Sequence, residues 1–236
     1  MTRNYVFDVD GTLTTSRGKI DEEFKKFLLE VFIPNFQMFL VTGSDYEKTL
    51  EQVGPEILYA VSASYNCAGN SVWSKGIETY KSDWELPTKA RNWLTDKLQK
   101  SPFPFRSGRH IDERPGLVNF SVIGRNCTLG ERKMYLEYDE LNRERITIAE
   151  EFNDKFLELQ IVAQVAGETG LDIMPMGKDK RQIIKYIPEP IHFFGDMMQE
   201  GGNDYPLRVV LGKDSEWTEV KDWKETYSLL KKMVYN

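Results

Sequence analysis

Tyr5-Val6-Phe7-Asp8-Val9-Asp10-Gly11-Thr12-Leu13-Thr14 is the stretch on which the reading of this 236-residue chain turns. An aromatic and aliphatic run breaks into two carboxylates two residues apart, followed by glycine and threonine, so a short buried strand ends in a polar loop. Side chains alternate along a strand with period two, and Asp8 and Asp10 therefore leave it in similar directions. Gly11 allows a sharp backbone turn that brings amide N–H groups toward whatever the carboxylates hold. Paired carboxylates at a strand end suit a hard divalent cation such as Mg2+, which takes oxygen ligands and leaves positions open for phosphate oxygens. One aspartate can then attack phosphorus while the other moves a proton. A lone DxD in an acidic turn carries little weight, but DxDGT directly after such a strand carries much more.

This stretch resembles the first motif of the haloacid dehalogenase-like phosphotransferases, which pass a phosphoryl group through an aspartyl-phosphate. The length allows one large or two small domains and ample core. At 29% charged and 40% hydrophobic residues the composition is that of a globular enzyme. A net charge of -6 argues against a general nucleic-acid binder, since no basic excess exists to displace counterions. Cys67 and Cys127 form neither a metal spacing nor a disulfide framework, and His110 and His192 are too few for a histidine-rich zinc site. The N-terminal Met-Thr-Arg-Asn runs straight into a strand, and no apolar run approaches the ~20 residues of a membrane span. A cytoplasmic protein with no membrane partner is expected.

Working outward, Ile20, Phe24, Phe27, Leu28 and Val31 recur at helical spacing, with Pro34 as the stop. Phe36–Val41 reads as a second strand, closed by Thr42-Gly43-Ser44. Ser44 and Glu47 have capping-box spacing, which predicts a helix from Asp45 to Val53 ended by Gly54. A third strand is expected at Ile57–Val61 and a hairpin at Ser71–Tyr80. The β-α-β-α-β order implies a parallel sheet with helices on both faces and ligands beyond the C-terminal strand ends.

From Asp83 the texture changes: a helix over 87–100, a hairpin across Arg114-Pro115-Gly116, helices over 129–141 and 147–157, and strands over 159–165 and 171–176. The first pattern resumes with a helix over 179–186, strands over 191–194 and 208–211, and a closing helix over 222–234. The expected fold is α/β: a Rossmann-like parallel-sheet core (1–80 and 178–236) interrupted by an inserted α+β cap (83–176).

A second acidic stretch, Phe193-Phe194-Gly195-Asp196 with Gly201-Gly202-Asn203-Asp204, again ends a strand in an aspartate. If the two strands are neighbours, Asp196 completes the Mg2+ shell begun by Asp8 and the Asp10 carbonyl. Asp204 and Asn203 then stand behind it, orienting ligands and a bound water. Lys180 opens a helix where the chain re-enters the core and can neutralise a phosphoryl group, with Lys178 as the competing candidate. Thr42 can donate a hydroxyl hydrogen bond to phosphoryl oxygens. In the cap, Arg114 and Arg125 flank a hairpin strand, and Arg132 lies in the first turns of a helix opened by the capping-box pair Thr128 and Glu131. Arginine recognises phosphate by paired hydrogen bonds, so these three form a candidate anion site, although each alone could be a solvated surface arginine.

Arg114 to Cys127 with Glu131-Arg132, together with Phe7 to Thr14, Arg17, Lys19-Ile20, Gly43 to Lys48 and Phe193 to Asp204, resembles the eukaryotic-type α-phosphomannomutases in order over most of the chain. The resemblance implies Mg2+-dependent interconversion of mannose 6-phosphate and mannose 1-phosphate, primed by a hexose 1,6-bisphosphate, in a homodimer joined through the cap. It implies Asp8 as nucleophile, Asp10 as general acid/base, and Arg17, Arg114, Arg125, Arg132 and Asp172 as residues holding phosphate and sugar while the cap closes over the hexose phosphate. Three positions depart from the family pattern. Gly170 stands where a serine is expected two residues before Asp172. Tyr205-Pro-Leu-Arg-Val-Val lacks the acid of a further ion site. Thr42 replaces a glycine and is the choice of the superfamily's phosphatases, which keeps open a sugar-phosphate phosphatase or a non-catalytic sugar-phosphate sensor.

Overall fold

The computed structural model describes residues 3–235, which divide into two compact units: residues up to Ser82 together with those from Gly177 onward, and Asp83–Met176. Taking the chain in order, β1 (Asn4–Phe7) is buried at all four positions. Helix α1 (Glu22–Phe27) begins where the Asp21 carboxylate accepts from the amides of Glu23 and Phe24. It runs through a π-helical turn, Leu28–Phe32, into α2 (Ile33–Asn35), so Pro34 lies inside the last turn and not beyond it. β2 (Gln37–Val41), α3 (Tyr46–Ala60), β3 (Ala63–Asn66) and the pair β4 (Ser71–Ser74) and β5 (Ile77–Lys81) follow.

Three expectations are corrected here. Ile57–Val61 is no strand, because Gly54 (φ 82°) kinks α3 without ending it and Pro55 starts the second helical stretch, where a missing N–H costs nothing. The third strand is β3, whose Ala-Ser-Tyr-Asn sequence lacks the apolar run that marks a buried strand. The helix cap is Asp45, which accepts from the Lys48 amide, and the Ser44 hydroxyl turns elsewhere.

The second unit holds α4 (Thr88–Lys100), β6 (Ile111–Arg114), β7 (Leu117–Phe120), α5 (Leu129–Asn142), α6 (Glu144–Lys155), β8 (Ile161–Ala166) and β9 (Gly170–Pro175). Its strands form an antiparallel sheet ordered β6-β7-β9-β8. Val118, Phe120, Leu171, Ile173, Ile161 and Ala163 share one core with Leu94, Tyr135, Ile148 and Phe152 of the helices. The alternate residues therefore face the other way and are free to be polar. The expected capping box opens α5, with the Glu131 amide donating to Thr128 Oγ1 and the Thr128 amide to Glu131 Oε2.

The chain returns through a 3-10 helix, Lys180–Lys185, where an α-helix was expected. Then come β10 (Ile191–Gly195), α7 (Tyr205–Val210), β11 (Glu216–Glu219) and α8 (Trp223–Tyr235). The expected strand at 208–211 is thus mostly helix, started by Pro206 in the first turn; the true edge strand, Glu-Trp-Thr-Glu, is too polar to announce itself. The core sheet runs β11-β10-β1-β2-β3-β4-β5, its first five strands parallel and the β4–β5 hairpin antiparallel. Tyr5 and Phe7 enter one core with Met38, Leu40 and Phe194, while Val6 enters another with Phe39, Val41 and Phe193, as a sheet covered on both faces requires. Each such fully buried side chain stabilises by about 1.5–3 kcal/mol. Phe7 stacks on Phe194 at 4.9 Å, which locks β1 to β10 next to the aspartates that follow each strand. Among the described residues no helix is long and apolar enough to cross a membrane.

Candidate active site

Parallel pairing of β1 with β10 brings Asp8 and Asp196 to the same sheet end, each one residue past its strand. Asp8, Asp196 and Asp204 each offer a carboxylate oxygen within 4.8 Å of the others. Two glycines make this approach possible. A Cβ on Gly11 (φ 83°) would lie 2.1 Å from Asp196 Oδ2, and one on Gly195 would lie 2.5 Å from Asp204 Oδ2. Lys180, 1% exposed, donates to Asp8 Oδ1 and to Asp204 Oδ1, both at 2.6 Å. Asp204 Oδ2 accepts from the Met197 amide, so both of its oxygens are engaged.

Charge explains the titration of the group. Burial lifts Asp8 well above the ordinary carboxylate value; Lys180 opposes this, and the charges of Asp204 and Asp196 add to it. Burial and then Asp204 push Asp196 up to about 7. Burial would lower Lys180, but Asp204 and Asp8 more than reverse that and raise it. Three carboxylates against one ammonium leave two negative charges, which an oxygen-seeking divalent cation balances. The donor set is all oxygen, and Asn203 Oδ1, buried on the same loop, accepts from nothing among the described residues. These residues fit a hard cation.

Asp10 sits apart from that cluster. Its Oδ1 accepts from the Arg17 amide (2.7 Å) and Gln52 Nε2 (2.9 Å), and its Oδ2 from Lys48 Nζ (3.0 Å) and Ser44 Oγ (3.2 Å). Burial would lift its pKa, but Lys48 and the bonds from Arg17 and Gln52 outweigh burial and hold it below the usual value. Asp8 and Asp10 are thus separated electrostatically, the pattern by which two carboxylates take different roles. Arg17 is exposed and left-handed (φ 58°). Thr42 is buried; its Oγ1 accepts from the Ser44 amide, and its hydroxyl hydrogen has no acceptor among the described residues. Lys178 takes no place in the carboxylate cluster: its carbonyl accepts from Asn70 Nδ2 and Gln182 Nε2.

In the second unit the polar face of the sheet carries a row in register, Asp112 opposite Asn119, Asn119 opposite Asp172, and Asp172 opposite Gln164. Asp112 Oδ2 accepts from Arg114 Nη2 at 2.9 Å and lies 3.6 Å from Arg125 Nε, gathering two of the three guanidiniums. Asn119 donates to Asp172 Oδ1 at 2.7 Å and accepts from Arg125 Nη1 at 3.4 Å. A Cβ on Gly170 would lie 2.6 Å from Asn119 Nδ2, so the carboxamide fills the space a serine there would take. Arg132, 8% exposed, pairs with Glu168 and is not in the Asp112 group; its Nη1 is buried without a hydrogen-bond partner.

Sequence reasoning missed Ser44, Lys48, Gln52, Asp112 and Asn119. Ser44, Lys48 and Gln52 converge on Asp10; the i, i+4 spacing of Lys48 and Gln52, which puts both on one face of α3, was the available signal, while Ser44 lies ahead of the Asp45 cap. Asp112 had none, since its role depends on where two distant arginines fold.

A sheet with β1 in the middle of its five parallel strands, a DxDGT loop at the strand end, and Lys180, Asp196 and Asp204 around it define a phosphotransferase-type site on a haloacid dehalogenase-like fold. A haloacid dehalogenase-like hydrolase from Bacteroides thetaiotaomicron superposes with a TM-score of 0.61 over 99% of this chain and 100% of that one at 13% identity. The IMP-bound, N-terminally truncated IMP-nucleotidase of Plasmodium falciparum gives 0.68 over 100% and 68%, also at 13%. At such identities the likeness is one of fold. Sequence goes further. The family described as eukaryotic phosphomannomutase matches residues 24–210. The phosphomannomutase of Encephalitozoon cuniculi is 32% identical over 233 residues, covering 94% of this chain and 90% of that protein. The Saccharomyces cerevisiae phosphomannomutase is 32% identical over 221 residues, covering 86% and 84%. The chain belongs to the eukaryotic phosphomannomutase family.

Proposed function

We propose that this enzyme interconverts mannose 6-phosphate and mannose 1-phosphate through phosphorylated Asp8. What carries this reading is the anion-binding face of the second unit, with Arg114 and Arg125 gathered on Asp112 and a buried, partly unsatisfied Arg132. A hydrolase acting on one phosphate has no need of a second, separate set of guanidiniums. A mutase does, because its bisphosphate intermediate presents one phosphate for transfer and one to be held.

In this reading Asp8 Oδ attacks phosphorus and Lys180 keeps the carboxylate charged and oriented. Asp10, held by Lys48, Gln52 and Ser44, takes a proton from the attacking sugar hydroxyl and returns it to the leaving oxygen. Thr42 donates to a phosphoryl oxygen. Asp8, the Asp10 carbonyl and Asp196 would hold Mg2+, with Asp204 and Asn203 behind them; when bound, the ion neutralises charge on the phosphoryl group. Arg114, Arg125 and Arg132 hold the phosphate that is not reacting, Asp172 and Asn119 meet sugar hydroxyls, and Arg17 contributes a further cation. A hexose 1,6-bisphosphate supplies the first phosphoryl group.

A homodimer through the second unit belongs to the same reading, and light scattering tests it. A cytoplasmic location goes with soluble sugar phosphates as substrates. Thr42 favours a second reading, release of phosphate to water. Incubation with Mg2+ and mannose 1-phosphate separates the two. Mannose 6-phosphate formation that depends on added hexose 1,6-bisphosphate supports the mutase, and stoichiometric free phosphate without isomer would overturn it.

A further inference from the structure

Asp8 and Asp204 are each fixed by Lys180, but Asp196 is not. Among the described residues no side chain forms a hydrogen bond or ion pair with its carboxylate. Its position therefore depends on the backbone of the loop between β10 and α7. That loop contains Gly201 and Gly202 and turns tightly: Gly201 has φ 87°, and a Cβ on Gly202 would lie 2.1 Å from the Met197 carbonyl. Glycines of this kind leave a segment with much entropy to lose on ordering.

One residue of the loop is held on every side. Met198 is fully buried, its amide donates to Glu219 Oε1 at 3.2 Å, and its carbonyl accepts from Arg208 Nη1 at 2.9 Å. The Arg208 guanidinium in turn lies over the Trp217 ring at 4.0 Å, and Trp217 and Glu219 occupy alternate positions on β11, on the same side of the strand. Arg208 also sits in the last turn of the short helix α7, where its amide donates to the Asp204 carbonyl, so it is tied to both ends of the loop. Arginine suits this place because its plane stacks on an aromatic face while its edge still donates.

We propose that Arg208, backed by Trp217 and Glu219, is a positioning residue for the metal site: it clasps Met198 and so sets where Asp196 stands. The inference rests on the Mg2+ reading above. Outer partners of a metal ligand act in this way, and their removal costs roughly 10–100-fold in affinity.

The test is Mg2+ titration of the full chain, read by calorimetry and by the Mg2+-dependent rise in thermal unfolding midpoint, with kinetics alongside. Arg208→Ala should weaken Mg2+ binding by roughly ten-fold. Its kcat should fall at limiting Mg2+ and recover at saturating Mg2+, with the sugar-phosphate KM unchanged. Arg208→Lys, which keeps a donor but loses the planar stack, should fall between. Glu219→Ala, which frees the other side of Met198, should repeat the effect if Arg208→Ala does not fold. Wild-type Mg2+ affinity in Arg208→Ala, or in Glu219→Ala where that replaces it, overturns the clasp. A wild-type chain that binds no Mg2+ overturns the metal reading and the clasp with it.

Discussion

The Lys180 ammonium lies 2.6 Å from Asp8 Oδ1, across 172 residues of sequence and with both side chains almost wholly out of water. A buried ion pair of this kind is poor value for stability alone, since apolar residues of similar size often do as well. Here the lysine also reaches Asp204 at the same distance, and burial still leaves Asp8 raised above its ordinary value. The site carries more negative charge than its own cation balances. That is an arrangement for binding something positive and transferring something negative.

Asp8→Asn keeps the shape and removes the charge. Turnover should fall by orders of magnitude, because an amide cannot act as the nucleophile. The fold should not suffer: the side chain is one whose charged form burial opposes, so the unfolding midpoint should stay level or rise. Near-normal turnover in steady-state assays would refute Asp8 as the phosphoryl acceptor.

Lys180→Ala does the reverse, leaving buried carboxylates with no cation beside them, and should cost about 3–5 kcal/mol. Its pH dependence has a definite sign. Loss of the ammonium removes the charge that opposes burial at Asp8, so Asp8 rises further above its unfolded value and the folded chain binds more protons. Stability should then be present at low pH and fall as pH rises through the folded values. Denaturant melts of wild type and variant at pH 5 and pH 8 should show the deficit growing with pH; a constant deficit would contradict it.

Asp10 offers a kinetic counterpart. Its pKa is held down by Lys48 together with Arg17 and Gln52. Lys48→Met removes the charge, the folded pKa of Asp10 should rise, and protonation should persist to higher pH. The acidic limb of the kcat/KM profile should therefore move upward. Gln52→Leu should move it less, since a neutral donor is lost. An unmoved limb in both variants would mean that Asp10 is not the group titrating in that limb.

What the sequence disclosed follows how local each determinant is. Asp8 and Asp10 were legible because strand, acids and glycine stand side by side, and Asp196 because its strand repeats the pattern. β3 and β11 were not, since Ala63-Ser-Tyr-Asn66 alternates over only four residues with a single large apolar side chain and Glu216-Trp-Thr-Glu219 is mostly polar, and sheet pairing overrides their weak propensity. Ile57 to Val61 misled because an apolar run after Gly54 and Pro55 fits a strand as well as a kinked helix. Ser44 has capping-box spacing to Glu47, yet its hydroxyl bonds Asp10, 34 residues back, a contact no local pattern encodes. Asn119 is more distant still, meeting Asp172 across 53 residues through strand register.

Arg132 gives the cap its clearest test. A buried guanidinium nitrogen without a partner is costly and should be satisfied by an anion. Arg132→Ala should lose a charged hydrogen bond of about 2 kcal/mol, which is a rise of roughly thirty-fold in KM. The midpoint of unfolding should change little, because its partner Glu168 is 41% exposed and can be solvated. Unchanged KM and kcat would remove Arg132 from the substrate site.

Gly170→Ser tests how this chain compensates for the missing hydroxyl. The new Cβ would lie 2.6 Å from Asn119 Nδ2, a flexible side-chain end that must swing away. Asn119 would then release Asp172, to which it now donates at 2.7 Å, and loosen its 3.4 Å contact with Arg125. Two residues expected to meet the sugar and its phosphate would change together. The ratio of kcat/KM for mannose 1-phosphate over glucose 1-phosphate should shift by several-fold, as one hydrogen bond of about 1 kcal/mol implies. Asn119→Ala combined with Gly170→Ser should shift it less than the sum of the single changes, because the two side chains compete for one space. Strict additivity in that double-mutant cycle would mean that Asn119 and position 170 act independently.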